Sequence, residues 1–306
     1  MRVLVTGGSG FIGSNVVRVL KEQGVKVFIL DDFSHANFKN IFDLDCEVIW
    51  ADILDENIYK KIPKVDAVIH EAAVTDTTLK DDRKMLRVNY DGFKNILNLS
   101  VKKNIKLIYA SSAGIYGNGS YPMKENQKAE PLNSYAYSKY LCDVETLSLI
   151  KKRKTAPVIG LRYFNVYGPG EYHKGIASSM IYHLYLQIRK NHRPRLFKYG
   201  KQKRDFVYVR DVAEATVKAL NLDKTVILNV GSGEACSFNK IVTTINGVLN
   251  KNLKPVYFDN FCQEVYQNYT HADITLLKKV LRFKPFYNLE RGIKDYIEKY
   301  LSPQKS

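Results

Sequence analysis

The chain has 306 residues, enough for one large or two modest domains around a sizeable core. Its 45% hydrophobic and 25% charged residues are ordinary for a globular protein, and no run approaches the roughly 20 apolar residues of a membrane span. Lys and Arg number 47 against 31 Asp and Glu, a formal net charge of +16. The basic residues are spread out without aromatic interleaving, which points to anionic small molecules rather than nucleic acid.

The first apolar run, Val3 to Val5, breaks at Thr6-Gly7-Gly8 and is too short for a signal peptide. The four cysteines are scattered, with no zinc-ligand spacing. These features predict a cytoplasmic protein with reduced thiols and no metal.

Residues 1–30 read as strand, glycine turn, helix, strand, with Val16, Val17, Val19 and Leu20 forming an apolar helical face. The second strand ends at Asp31-Asp32. Further strands are predicted over Cys46 to Trp50, just before Asp52, and over Asp66 to His70, running into Glu71-Ala72-Ala73. A helix is predicted from Leu86 to Val101 and a strand from Lys106 to Ala110, ending at Ser111-Ser112. Ser134 to Ile150 reads as helix and Val158 to Phe164 as strand. Alternating strands and helices, with nearly continuous apolar strands, imply an α/β fold: a Rossmann-type doubly wound parallel sheet. Beyond residue 168 the alternation weakens. We assign 1–168, with about 205–231, to a dinucleotide-binding domain, and 169–204 with 232–306 to a smaller C-terminal α/β substrate-binding portion.

Gly7, Gly10 and Gly13 stand between the first strand and the first helix. Glycine there turns the chain tightly, lets backbone approach a pyrophosphate, and lets helix and strand pack closely. The helix N-terminus at Phe11 offers free N–H groups to phosphates. Asp31 suits the adenosine ribose hydroxyls and favours NAD, whereas a 2′-phosphate would need a cation such as Lys39. Asp32 reads equally as a solvated turn residue. Asp52 suits either the adenine amino group or a helix N-cap.

Tyr135 and Lys139 lie at i,i+4 and share one helical face. A free tyrosine titrates near 10, and a neighbouring ammonium favours its phenolate, which makes it a usable general base. Ser112, at a strand end, could hydrogen-bond the reacting hydroxyl. With the glycine loop, this set implies hydride and proton transfer at a carbinol carbon.

Thr6-Gly7-Gly8-Ser9-Gly10-Phe11-Ile12-Gly13, Ser111-Ser112-Ala113-Gly114-Ile115-Tyr116-Gly117 and Tyr135-Ala136-Tyr137-Ser138-Lys139 resemble the extended short-chain dehydrogenase/reductase family. So do Arg162 to Pro169 and Arg204 to Val212, and the resemblance spans nearly the whole chain. It implies a nucleotide-sugar epimerase, dehydratase or decarboxylase using NAD or NADP, tightly bound, one per subunit. Gly168-Pro169-Gly170-Glu171-Tyr172-His173-Lys174-Gly175 and Glu71 to Thr78 resemble the ADP-heptose 6-epimerase branch, with UDP-sugar 4-epimerases and nucleotide-sugar dehydrogenases or dehydratases as alternatives. In that branch a lysine at the position of Lys174 is a second base opposite the tyrosine.

The resemblance also implies that Ile12, Glu71, Ala72, Ala73, Thr75, Asn89, Val166 and Lys174 contact the cofactor. It places Ser112, Asn165, His183, Phe197, Arg204 and Tyr266 against the nucleotide-diphosphate sugar. It further implies a homo-oligomer joined through the helices over 86–101 and 134–150. The chain departs from the branch at Ile176, which follows Gly175, and at Lys198-Tyr199-Gly200, which follows Phe197.

Overall fold

The computed structural model describes residues 1–76, 81–152, 156–259 and 267–302. β1 (Arg2–Thr6) leads through the glycine turn into α1 (Phe11–Glu22), β2 (Lys26–Asp31), β3 (Glu47–Trp50) and β4 (Ala67–His70). α2 (Asp82–Leu86) continues through a π-helical turn (Arg87–Asp91) into α3 (Gly92–Lys103). The expected helix over 86–101 therefore begins earlier and carries a wide turn. β5 (Lys106–Ser112), α4 (Ser134–Lys152) and β6 (Val158–Tyr163) follow.

These strands, with the later β10 (Val226–Val230), form a seven-stranded parallel sheet in the order β10-β6-β5-β4-β1-β2-β3. Both faces are covered, and the strands show it residue by residue. Val3 and Val5 of β1 enter one core cluster and Leu4 the other. Ile108 and Ala110 of β5 divide from Leu107 and Tyr109 in the same way. Full burial of one such side chain is worth about 1.5–3 kcal/mol, so a one-residue slip in register would exchange the two faces.

The remaining elements are β7 (Asn165–Tyr167), α5 (Met180–Arg189), β8 (Arg195–Phe197), β9 (Lys203–Tyr208), α6 (Val209–Lys218) and β10 (Val226–Val230). β11 (Ala235–Ser237), α7 (Phe238–Val248), β12 (Val256–Phe258), α8 (Thr275–Leu281) and α9 (Leu289–Tyr296) complete the chain. Two small sheets, β11-β9-β7 and β12-β8, build the second portion. Its own core gathers Leu184, Ile188, Leu196, Phe206, Ile241 and Ile293. α6 packs on α1, and α8 returns to the large sheet, placing Leu277, Leu281 and Phe283 in its core. Among the described residues, no helix is long and apolar enough to cross a membrane.

Strand order reverses at β1, whose neighbours are β2 and β4. Such a reversal opens a crevice beyond the carboxyl ends of the strands, where ligands bind in sheets of this kind.

Candidate active site

The crevice is a cleft of about 1220 Å³. Gly7, Gly10, Phe11, Ile12 and Gly13 line one side, and Glu71, Ala72, Ala73 and Thr75 another. Gly7 has φ +67°, and a Cβ there would stand 2.6 Å from the Ala72 nitrogen. A Cβ on Gly13 would stand 2.1 Å from the Gly7 carbonyl oxygen, so the helix meets the strand only because the side chain is missing. Gly10 caps α1 with no side-chain hydrogen bond, leaving the first-turn N–H groups free for an anion. The buried Ser111 hydroxyl lines the same cleft without a partner. This cradle, uncapped helix end and orphan hydroxyl fit a dinucleotide.

Asp31 also lines the cleft, with a task the sequence did not signal. Its carboxylate accepts the Ser9 N–H at 2.9 Å and the Phe33 N–H at 3.0 Å, so it braces the glycine loop from behind. Burial raises its pKa while those two N–H groups oppose the rise. Asp32 and Asp52 line the cleft as turn residues, accepting from Ser34 and from the Leu54 N–H. No helix starts at Asp52, so its carboxylate closes a loop turn instead of serving as a helix N-cap. Lys39 is not part of the wall. Ser34, His35, Ala36 and Asn37 occupy that stretch instead.

Asn133 accepts the Ala136 N–H at 2.8 Å and sets the first turn of α4. Tyr135 projects from that turn and Lys139 from the next. The Lys139 ammonium is buried and donates to the Ala110 carbonyl of β5 at 2.9 Å. Ser112 stands two residues further on, its hydroxyl oxygen accepting the Gly114 N–H.

A second cavity of about 410 Å³ adjoins the first, and Ser112, Tyr135, Asn165, Val166 and Lys174 form part of both walls. Arg204 lines the second cavity and faces Gln267. Lys174 sits in a loop whose Gly168, Gly170 and Gly175 all take positive φ. Its ammonium lies 5.6 Å from the centre of the Phe11 ring. Burial lowers its pKa, and Glu171 opposes that fall.

Several expected contacts lie elsewhere. Asn89 stands behind the wall in the π-turn, accepting the Val74 N–H at 2.8 Å and donating to the Val74 carbonyl and the Ser138 hydroxyl. The His183 ring pairs with the Ile176 carbonyl, and Phe197 packs on Phe258; neither lines the cleft or the adjoining cavity. Thr77, Thr78 and Tyr266 fall outside the described residues.

Two arrangements went unsignalled, the pairing of Tyr163 with Glu71 and the burial of Glu171. The Tyr163 hydroxyl donates to Glu71 at 2.7 Å and pairs with Thr216 at 2.8 Å. Burial pushes the Glu71 carboxyl up to about 7, against the opposing pull of Tyr163 and Lys139. Glu171 is wholly buried and holds the Lys174 loop together.

Residues 3–231 match the NAD dependent epimerase/dehydratase family. An ADP-L-glycero-D-manno-heptose-6-epimerase from Brachyspira hyodysenteriae is 38% identical over 310 residues, spanning 97% of this chain and 96% of that protein. The crystal structure of Helicobacter pylori ADP-L-glycero-D-manno-heptose-6-epimerase aligns with a TM-score of 0.90 at 39% identity, covering 97% of this chain and 95% of that one. A UDP-N-acetylglucosamine 4-epimerase from Methanobrevibacter ruminantium aligns with a TM-score of 0.91 at 27% identity, over 98% of each chain.

Proposed function

Because the chain belongs to the NAD dependent epimerase/dehydratase family, we propose that it is a nucleotide-sugar epimerase whose substrate is an ADP-linked glycero-manno-heptose, inverted at carbon 6. The similarity to two enzymes so named supports the sugar. The observation that carries the chemistry is that Tyr135 and Lys174 both stand in the wall between cleft and cavity.

A carbinol carbon remote from any carbonyl has no acidic C–H, so it cannot be inverted by deprotonation alone. When bound, oxidised NAD supplies the hydride acceptor that makes this carbon a ketone, and its reduced form gives the hydride back. The chain's own residues do the rest. The uncapped N-terminus of α1 holds the pyrophosphate, Asp31 holds the adenosine ribose, and the stretch from Glu71 to Thr75 closes over the other side. Tyr135 or Lys174 takes the hydroxyl proton as the ketone forms. The flat ketone reorients, and the other residue protonates the new alkoxide on the opposite face. Ser112 holds the reacting oxygen, and the Lys139 ammonium favours the phenolate form of its neighbour. Arg204 suits a bidentate contact with the substrate diphosphate, and Asn165 a contact with the sugar. The hydride returns each cycle, so the cofactor stays bound and is expected to co-purify, as mass spectrometry of the denatured protein would show.

The test is incubation with single epimers of ADP-heptose and, separately, with UDP-hexoses, read by proton NMR. Expected is an equilibrium pair of carbon-6 epimers from the ADP sugar alone. Turnover of UDP-sugars at carbon 4 alone would overturn the assignment. Lys174→Met and Tyr135→Phe are each expected to slow turnover by about 10²–10⁴. Near-normal rates in both would end the two-base scheme.

A further inference from the structure

We propose that Glu171 is a positioning residue for Lys174: its buried carboxylate fixes the loop that bears the lysine and supplies the counter-charge beside which that ammonium works. The proposal rests on Lys174 as a proton-handling group.

Glu171 is 0% exposed. Its carboxylate accepts the Gly168 N–H at 3.0 Å, the Ser179 hydroxyl at 3.0 Å and the Ser179 N–H. Three donors converging on two oxygens is the pattern of an ionised carboxylate. Its main chain is engaged as well: the Glu171 carbonyl accepts the Lys174 N–H at 3.0 Å and the Ser178 hydroxyl at 3.0 Å. One side chain thus joins the start of the loop to the cap of α5, and Lys174 hangs between.

A buried charge without a partner is costly. Among the described residues lining the substrate cavity, Glu171 is the one carboxylate, and the cations are Lys174 and Arg204. Lys174 shares the cavity walls with Tyr135 from α4 and Tyr163 from β6, has Tyr172 and His173 in its own loop, and lies against uncharged Phe11 from α1, with Asn165 from β7 on the same wall. Glu71 lines only the cofactor side. Tyr182 from α5 and Tyr296 from α9 also feel the Glu171 charge. Burial raises the Glu171 carboxyl, against the pull of the Gly168 and Ser179 donors and then of the Lys174 charge, and burial lowers the Lys174 amine, against the pull of Glu171.

The experiment is competitive labelling with acetic anhydride across pH, read at Lys174 by mass spectrometry with exposed Lys103 as reference. Only the neutral amine reacts, and no turnover is needed, so failure of the epimerase reading leaves this test intact. Glu171→Gln removes the negative charge. The midpoint of Lys174 labelling is expected to fall by about one pH unit, roughly a tenfold gain in reactivity below the midpoint. Ser179→Ala loosens the same loop but keeps the charge, and should change the plateau without moving the midpoint. An unmoved midpoint in Glu171→Gln overturns the proposal.

Should that variant not fold, Lys174→Met tests the pair from the other side. Without the ammonium, the Glu171 carboxyl rises further, so stability relative to wild type is lost as pH climbs through its range. The gap in Tm is expected to widen from pH 5 to pH 8. A constant gap overturns the proposal.

Discussion

The Lys139 ammonium lies 6.0 Å from the centre of the Tyr135 ring, held there by the Ala110 carbonyl. The anchor is backbone of β5, so the cation's place depends on the sheet and not on a mobile partner. Lys139→Met keeps the volume and removes the charge. Turnover is expected to drop by about 10²–10⁴ while the Tm stays within a few degrees. A matching collapse in Tm would show that Lys139 serves mainly the fold.

Glu71 makes stability depend on pH. Its folded carboxyl titrates near 7 against an ordinary value of 4.5. Between those values the folded chain holds a proton that the unfolded chain has released. Stability therefore falls as pH rises from about 5 to about 7 and levels off above, a change on the order of 1–3 kcal/mol. Urea titrations at several pH values should show the decline in wild type and a flatter course in Glu71→Gln. Identical courses would exclude this assignment.

We expect cofactor choice to be adjustable at Asp32 more readily than at Asp31. Asp31 braces Ser9 and cannot be exchanged without disturbing the glycine loop. Asp32 is exposed, lines the cleft, and would repel a 2′-phosphate. We expect NAD to bind more tightly than NADP. Asp32→Asn should tighten NADP about fivefold with NAD unchanged, the effect of one screened charge. Calorimetric titration of both cofactors checks this, and equal changes for the two would refute it.

Arg162 and Asp143 form a buried ion pair at 2.8 Å, with the Tyr109 hydroxyl on the carboxylate and the guanidinium donating to Tyr116. Arg162→Met strands the Asp143 charge and is expected to cost about 3–5 kcal/mol in chemical denaturation. Adding Asp143→Leu should restore part of that loss. A single variant costing under about 1 kcal/mol would mean water reaches the pair.

What the sequence made legible shares one property: it is local. Strands with two apolar faces, a glycine loop and an i,i+4 pair are all written within a few residues of one another. Gly13 could be read because its reason is steric and close by. Lys39 could not be judged, since only the folded turn shows that Asn37 and its neighbours occupy the wall in its place. Glu71 and Tyr163 are 92 positions apart, and no spacing rule joins them. Glu171 escaped for the opposite reason. A carboxylate in a glycine-rich loop reads as solvated until its three donors are seen. Asn89 reached the cofactor region only indirectly, because a π-turn aims its amide at the Val74 backbone and not into the cleft.

α8 lies on the large sheet, and α9, just beyond it in sequence, lies in the small core. β9 and α6 are divided in the same manner, one strand in a small sheet and the next helix against α1. The polypeptide is laced between the two bodies, so no single cut yields halves that each keep a full complement of packing. Fragments are expected to be insoluble apart, and calorimetry of the intact chain should give one heat-absorption peak. Laced bodies also swing poorly about a hinge. Exchange of sugar nucleotide is then expected to fall to loops at the mouth of the cleft other than the segment around Lys174, which the Glu171 carboxylate pins.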